Sequence, residues 1–260
     1  MSIKNEILKN EIENQQILSI SDLHKTYDTG KSNEVKVLRG VSLEMRKGDF
    51  FTLMGPSGCG KSTLLNIVGG LTKQNCGSVK INGIELDSLK DNALSELRNL
   101  HIGWVFQSFG LIDNLTALEN VMIPLDLANV EDSVAKQTGL ELLKRVGLED
   151  RADHFPDGLS GGQNQRTAIA RALANDPEVI LADEPTGNLD TSTGLEIIEL
   201  FKELASQGKT ILMVTHDVAL AHAAQKVFIL RNGVVAEETK DPALNGTQKH
   251  KAEIKTEKEI

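Results

Sequence analysis

An α/β fold is predicted for the 260-residue chain, on three observations. The apolar run Phe50-Phe51-Thr52-Leu53-Met54 leads straight into Gly55-Pro56-Ser57-Gly58-Cys59-Gly60-Lys61-Ser62, and a helical stretch follows. Strand, glycine-rich loop and helix, in that order, form the setting in which a backbone loop cradles phosphate. Two more short apolar runs, at 178–182 and 210–214, flank a helical segment from about Thr193 to Ser206. That alternation is the mark of a sheet covered by helices. Residues 88–99 and 116–149 carry helical periodicity, so the stretch of about 88–158 reads as an inserted helical subdomain.

The remaining elements follow in order. Residues 1–16 are polar, with Ile3, Ile7, Leu8 and Ile12 at loosely helical spacing, and fit a frayed helix or a disordered arm equally. Ile17-Leu18-Ser19-Ile20 and Val35-Lys36-Val37-Leu38 read as strands separated by a turn-rich segment around Asp28-Thr29-Gly30. Val41-Ser42-Leu43-Glu44-Met45 alternates as a half-exposed strand does. Phe50 to Met54 suits a buried strand. Ser62 to Val68 is predicted helical and stops at the Gly69-Gly70 pair. Gly77 to Gly83 reads as a strand and turn; Leu140, Leu142, Leu143 and Val146 form one apolar helix face, with Gly147 as its stop. Val227-Phe228-Ile229-Leu230 and Val234-Val235-Ala236 pair as a hairpin through Asn232-Gly233. From 238 to 260 Lys and Glu alternate and apolar residues thin out, which predicts a disordered tail. There is no internal repeat.

Composition bounds the function. With 40% hydrophobic and 25% charged residues the chain can bury a sizeable core and stay soluble. The net charge of −9, from 28 Lys+Arg against 37 Asp+Glu, argues against a broad nucleic-acid surface. Cys59 and Cys76 are the only cysteines; their spacing fits no metal pattern and two reduced thiols are expected. The charged first dozen residues lack the apolar core of a signal peptide. No run approaches the ~18–20 apolar residues that span a bilayer, so any path through a membrane is expected from another chain.

Three stretches hold the chemistry. In the loop 55–62, glycines let successive N–H groups wrap phosphate oxygens at a helix start, Lys61 adds positive charge, and the Ser62 hydroxyl is placed for Mg²⁺. Val179 to Ala182 is a buried-strand run ending in Asp183-Glu184, and two carboxylates at the edge of an apolar core need a task. Mg²⁺ binding by Asp183 and water activation by Glu184 would supply it. Leu159-Ser160-Gly161-Gly162-Gln163 precedes a helix read over Asn164 to Ala174, with Ile169, Ala172 and Leu173 inward. Ser160 is a natural N-cap, and the glycines after it leave a bare helix start, a second anion site.

Tyr27, the loop 55–62, Gln107, Leu159–Gln163, Asp183-Glu184, Asn188-Leu189-Asp190 and His216 stand in the order and context of the ATP-binding-cassette ATPases, which this chain resembles over roughly residues 17–236. The resemblance implies a RecA-like mixed sheet with flanking helices, an antiparallel β subdomain and the helical insertion, in a domain at 17–237. It implies ATP and Mg²⁺ as ligands, with Thr63 joining the loop in ATP binding, Tyr27 stacking on adenine and Gln107 at Mg²⁺ or the attacking water. His216 would contact the γ-phosphate. Two such domains meet head to tail, so Leu159, Ser160, Gly161, Gly162 and Gln163 would serve the ATP of the partner, and Asp190 would lie at the dimer interface. Two departures stand out: Asn164 after the signature where Gln or Arg is common, and Gly158 before it where a polar side chain is usual.

Leu64–Leu71, Phe106–Ile112, Leu115–Val121 and Glu184–Asp190 resemble one bacterial branch, the ATPases of lipoprotein release, macrolide export and antimicrobial-peptide export or sensing. The resemblance implies a homodimer at the cytoplasmic face of the cell membrane, driving permease subunits on separate chains. The alternatives are a soluble ATPase of the same family acting on nucleic acid or ribosomes, and a regulatory cassette of the cell-division type. The first alternative generally has coiled-coil or zinc insertions or a second cassette, none of which is present in the sequence.

Overall fold

The computed structural model describes residues 15–237, so the reading for 238–260 lies outside the described residues, as does that for 1–16 except at its end, where Gln16 already opens the first strand. β1 (Gln16–Tyr27) and β2 (Val35–Arg46) pair antiparallel. β3 (Phe50–Met54) enters the glycine loop and α1 (Lys61–Val68) leaves it. β4 (Cys76–Ile81) turns at Asn82-Gly83, both at positive φ, into β5 (Ile84–Glu85). Then come α2 (Asp91–His101), β6 (Ile102–Phe106), α3 (Ala117–Leu127), α4 (Asp132–Arg145) and α5 (Gly161–Ala172). The described chain closes with β7 (Val179–Asp183), α6 (Thr191–Ser206), β8 (Thr210–Val214), α7 (Val218–Ala221), β9 (Lys226–Arg231) and β10 (Val234–Glu237).

Two sheets result. The antiparallel one runs β2-β1-β4-β5 and the larger one β10-β9-β3-β8-β7-β6, parallel except at the β9-β10 hairpin. Strand alternation explains how the larger sheet is buried on both faces. Phe50, Ile180, Ala182, Ile211 and Met213 point into one core beneath α3 to α6, where Phe50 meets Phe201 edge to face at 6.2 Å. Phe51, Leu53, Val179, Leu181, Leu212 and Val214 point into the other, against α1 and the antiparallel sheet. At roughly 1.5–3 kcal/mol per fully buried large apolar side chain, these faces dominate the stabilisation and outweigh any single surface ion pair.

Several readings are corrected. The runs at 35–38 and 41–45 belong to one strand, because a register shift against β1 between Ile20 and Leu23 lets it bend without ending. At that bend Gly40 has φ +88, and the Ser42 hydroxyl accepts the Asp22 N–H at 3.0 Å. Ile102–Phe106, inside the stretch read as helical, is an edge strand paired with β7. Gly103 permits this: a Cβ there would lie 2.3 Å from the Ala172 carbonyl oxygen. The helical reading over 116–149 breaks into α3 and α4 at Asn129, which has φ +57. The Asn232-Gly233 hairpin forms as predicted.

Candidate functional site

The parallel strands of the larger sheet bring their C-terminal ends to one edge. Phe106 lies opposite Asp183, Asp183 opposite Val214, and Val214 opposite Leu53. The residues that follow, Gln107, Glu184, Thr215-His216 and Gly55, therefore emerge side by side. β3 sits between β8 and β9, and ligands of open α/β sheets bind beyond the strand ends at such a crossing point.

The loop after β3 is shaped by Gly55, Gly58 and Gly60, with φ of +155, +76 and +106. A Cβ on Gly55 would lie 2.4 Å from the Leu230 carbonyl oxygen and 2.7 Å from Cys59 Sγ, so no side chain fits. Cys59 is half-buried and packs against the second core, so the loop uses its backbone and not its thiol at the site. Pro56 lines an adjoining groove with Arg39 and Arg231. Lys61 is buried, and its ammonium donates to the Gly55 and Pro56 carbonyls at 2.8 and 3.0 Å. Gly60 caps α1 with no side chain and the first turn holds no acid, so the leading N–H groups of α1 keep their capacity for an anion. A cavity of about 470 Å³ opens here, lined by Ser57, Lys61, Ser62, Thr63, Glu184 and His216 among others.

The carboxylates divide the work. Asp183 accepts from the Ser62 hydroxyl at 3.4 Å. Burial pushes its pKa up, the charge of Glu184 adds to that, and Ser62 and Lys61 oppose it. A carboxylate pressed toward protonation beside a hydroxyl is an oxygen donor set suited to a hard divalent cation, whose charge would relieve the strain. Because the folded pKa is raised, this group's contribution to stability is full below the ordinary carboxylate range and is lost as pH rises through the raised value. Asp183→Asn is therefore expected to raise the melting temperature of the nucleotide-free protein at neutral pH, with the difference closing in acid. An unchanged or lower melting temperature at neutral pH would sink this account.

Glu184 holds φ +47, a left-handed conformation that costs a non-glycine residue of order 1–3 kcal/mol. Its N–H donates to the Val214 carbonyl at 2.9 Å and His216 Nδ1 donates to its Oε2 at 2.9 Å. The strained backbone turns the carboxylate into the cavity, and the histidine leaves Oε1 as the free acceptor.

The other predicted residues lie around this centre. Gln107 packs on Gly187, where a Cβ would come 2.7 Å from its Nε2, and its carbonyl accepts from Asn188 Nδ2 at 2.9 Å. Tyr27 ends β1, is exposed and has the Lys25 ammonium over its ring at 4.9 Å; it does not line the cavity. Leu159–Gln163 and Asp190 are also absent from the cavity wall. The helix read over 164–174 begins earlier: Gly161 and Gly162 occupy its first turn, Ser160 Oγ accepts the Gln163 N–H at 3.3 Å, and Gln163 Oε1 accepts the Ser160 N–H at 2.9 Å. The Gln163 side chain thus closes a capping box, a Ser-x-x-Gln signal present in the sequence. The N–H groups of Gly161 and Gly162 have no intrahelical acceptor. Asn164 explains one departure: it is buried, and its Nδ2 donates to the Pro156 carbonyl at 2.9 Å, tying the preceding loop to the helix. A side chain at Gly158 would meet open space, so that departure carries no steric demand.

Asp190 caps α6, accepting the Thr193 N–H at 3.0 Å, the Thr193 hydroxyl at 2.6 Å and the Ser192 hydroxyl as well. These donors hold its pKa far below the usual carboxylate range. The sequence reading missed Asn120, fully buried on α3. It accepts the Ile112 N–H at 2.7 Å and donates to the carbonyls of Ile112, Leu115 and Thr116, fastening the loop after Gln107.

Comparison with known proteins agrees with this geometry. Residues 38–187 match the family described as ABC transporter. The chain is 46% identical over 213 residues to the lipoprotein-releasing system ATP-binding protein LolD of Bdellovibrio bacteriovorus, covering 82% of this chain and 96% of that protein. It is 41% identical over 240 residues to the macrolide export ATP-binding/permease protein MacB of Mannheimia succiniciproducens, covering 92% of this chain but 37% of that longer one. Its fold is similar to a dimeric post-hydrolysis structure of the cassette MJ0796 bound to ADP and Pi, with TM-score 0.78, 44% identity, and 86% and 99% of the two chains covered. A phosphate loop, a carboxylate pair at a strand end and a capped glycine helix start in one such fold place the chain in the ABC transporter family, as an ATPase cassette of the branch that includes LolD and MacB.

Proposed function

We propose that this chain is the ATP-hydrolysing subunit of a membrane transporter, working as a homodimer that drives permease subunits on separate chains for release or export of a lipophilic or peptide cargo. The observation that carries the reading is the separation of two phosphate-type sites within one subunit. The cavity is walled by Ser57, Gly58, Gly60 to Thr63, Glu184 and His216, with Asp183 bonded to the lining Ser62, whereas the bare glycines of α5 lie outside its wall. Two copies placed head to tail would complete both sites.

In this reading the loop N–H groups and Lys61 hold the β- and γ-phosphates, and Tyr27 stacks on adenine. Ser62, Asp183 and Gln107 would hold Mg²⁺, which when bound neutralises phosphate charge. Glu184 Oε1 takes a proton from the attacking water, while His216 orients the carboxylate through Oε2 and reaches toward the γ-phosphate. Ser160, Gly161 and Gly162, with Leu159 and Gln163 shaping the helix start, bind the ATP of the partner subunit, and Asp190 lies at the interface. Gln107 passes the state of the site to the helical insertion through the loop fastened by Asn120.

The chain would sit on the cytoplasmic face of the membrane; among the described residues no helix is long and apolar enough to cross it. A largely apolar groove of about 400 Å³ lined by Leu71, Trp104, Phe106, Pro124 and Leu127, among others, adjoins the strand that leads into Gln107, and is the surface proposed for the permease. Co-purification with a permease, and stimulation of ATP hydrolysis by cargo in the reconstituted complex, test the reading. A chain that hydrolyses ATP but binds no permease favours a soluble cassette. A complex indifferent to every cargo favours a regulatory one.

A further inference from the structure

A Cβ built on Gly162 would lie 2.5 Å from Thr193 Cγ2, closer than real Cβ atoms come to a neighbour. The next atoms, Thr193 Cβ and Oγ1, stand at 3.9 and 4.0 Å, and nothing else is nearer. One methyl group therefore decides whether a side chain fits. That methyl cannot swing away, because the Thr193 hydroxyl is held by Asp190 Oδ2 at 2.6 Å and its N–H by Asp190 Oδ1 at 3.0 Å. β-Branched side chains are stiff at χ1 in a helix, and rotating this one would break the hydroxyl bond. Gly161 leans on the same segment, where a Cβ would stand 3.3 Å from Leu189 Cδ2.

The segment also reaches back to the hydrolytic carboxylate. The Gly187 N–H donates to the Glu184 carbonyl at 3.0 Å and the Leu189 N–H to the Thr186 carbonyl at 3.1 Å, so consecutive turns run from Glu184 to the Asp190 cap. From there the path is Asp190, Thr193 and Gly162, all within one subunit.

We propose that Thr193 is a positioning residue: locked by Asp190, its methyl seats the glycine start of α5 against α6 and so sets where one subunit presents its Gly161 and Gly162 N–H groups to the ATP of its partner. This rests on the ATPase reading above and adds a requirement for glycine that arises inside the subunit, independent of any contact with nucleotide.

The test is a rescue. In the full chain Gly162→Ala is expected to lower ATP hydrolysis about 100-fold, the scale of a catalytic group displaced by about 1 Å. Thr193→Ser removes the methyl that seats α5 but keeps the hydroxyl for Asp190, and alone should lower turnover several-fold, a smaller loss than Gly162→Ala, because nothing then fills the place the methyl held. The double variant Gly162→Ala/Thr193→Ser is expected to recover most of the loss. Thermal melts read the same rescue without turnover: Gly162→Ala should lower the melting temperature and Thr193→Ser should restore it. That separates failure of this contact from failure of the ATPase reading, which would show as a parent chain without hydrolysis. A double variant no more active and no more stable than Gly162→Ala overturns the proposal, since a clash with nucleotide would persist when Thr193 is trimmed. Gly162→Ala with parental activity and melting temperature overturns it as well.

Discussion

Glu184→Gln is expected to slow ATP hydrolysis by about 10²–10⁴-fold while ATP still binds, because a positioned general base contributes on that scale. The substitution preserves size, and an amide oxygen can still accept the proton that His216 Nδ1 donates at 2.9 Å. The lost element is basicity at the free oxygen. The left-handed backbone at φ +47 is the same burden for Gln as for Glu, so the fold should not distinguish them. Stalled hydrolysis should leave the ATP-bound dimer as the accumulating species, visible as a doubled mass by light scattering with saturating ATP. A variant that remains monomeric under those conditions counts against the head-to-tail dimer; one with near-parental turnover removes Glu184 from the base role.

Ser160→Arg has the second large effect: hydrolysis is expected to disappear, while the isolated subunit binds nucleotide almost as the parent does. Ser160 is exposed at the start of α5 and is not part of the cavity that holds Lys61 and Glu184. Loss of its cap costs helix stability of about 1 kcal/mol, too little to unfold a domain with two large cores. In the proposed head-to-tail dimer the bulk and charge of arginine would act where the helix start meets the partner. Nucleotide titration at concentrations too low for dimerisation separates the cases. If the monomer loses affinity in proportion to activity, Ser160 faces its own nucleotide and the two-subunit arrangement is wrong.

How far such residues can be read from the chain depends on the range of the interaction that places them. The loop at 55–62 declares itself because glycines, lysine and serine act through local backbone geometry. The apolar strand before it and the helix after it are equally local. Asp183-Glu184 is legible for a similar reason, since carboxylates at the end of a buried run are costly without a role. Ile102–Phe106 is not: a five-residue apolar run suits a buried helix segment or a strand, and only its pairing with β7 settles the matter. The division of β2 into two strands fails in the same way, because the bulge that joins them is a property of its pairing with β1.

The functional residues follow this rule. Residue types alone establish the phosphate loop, the strand-end carboxylates, the Ser160 cap and, through their combined order, the ABC transporter family. Those features depend on neighbours a few positions away, where chain connectivity guarantees the geometry. The sequence could not say that Asp190 spends its oxygens on Ser192 and Thr193, or that the methyl of Thr193 stands over Gly162. The first is a set of short-range bonds competing with other uses of the same polar groups. The second joins residues 31 positions apart, from helices α5 and α6. Close packing of helices is decided by the whole core, and a pattern of residue types holds no record of which methyl ends up against which glycine.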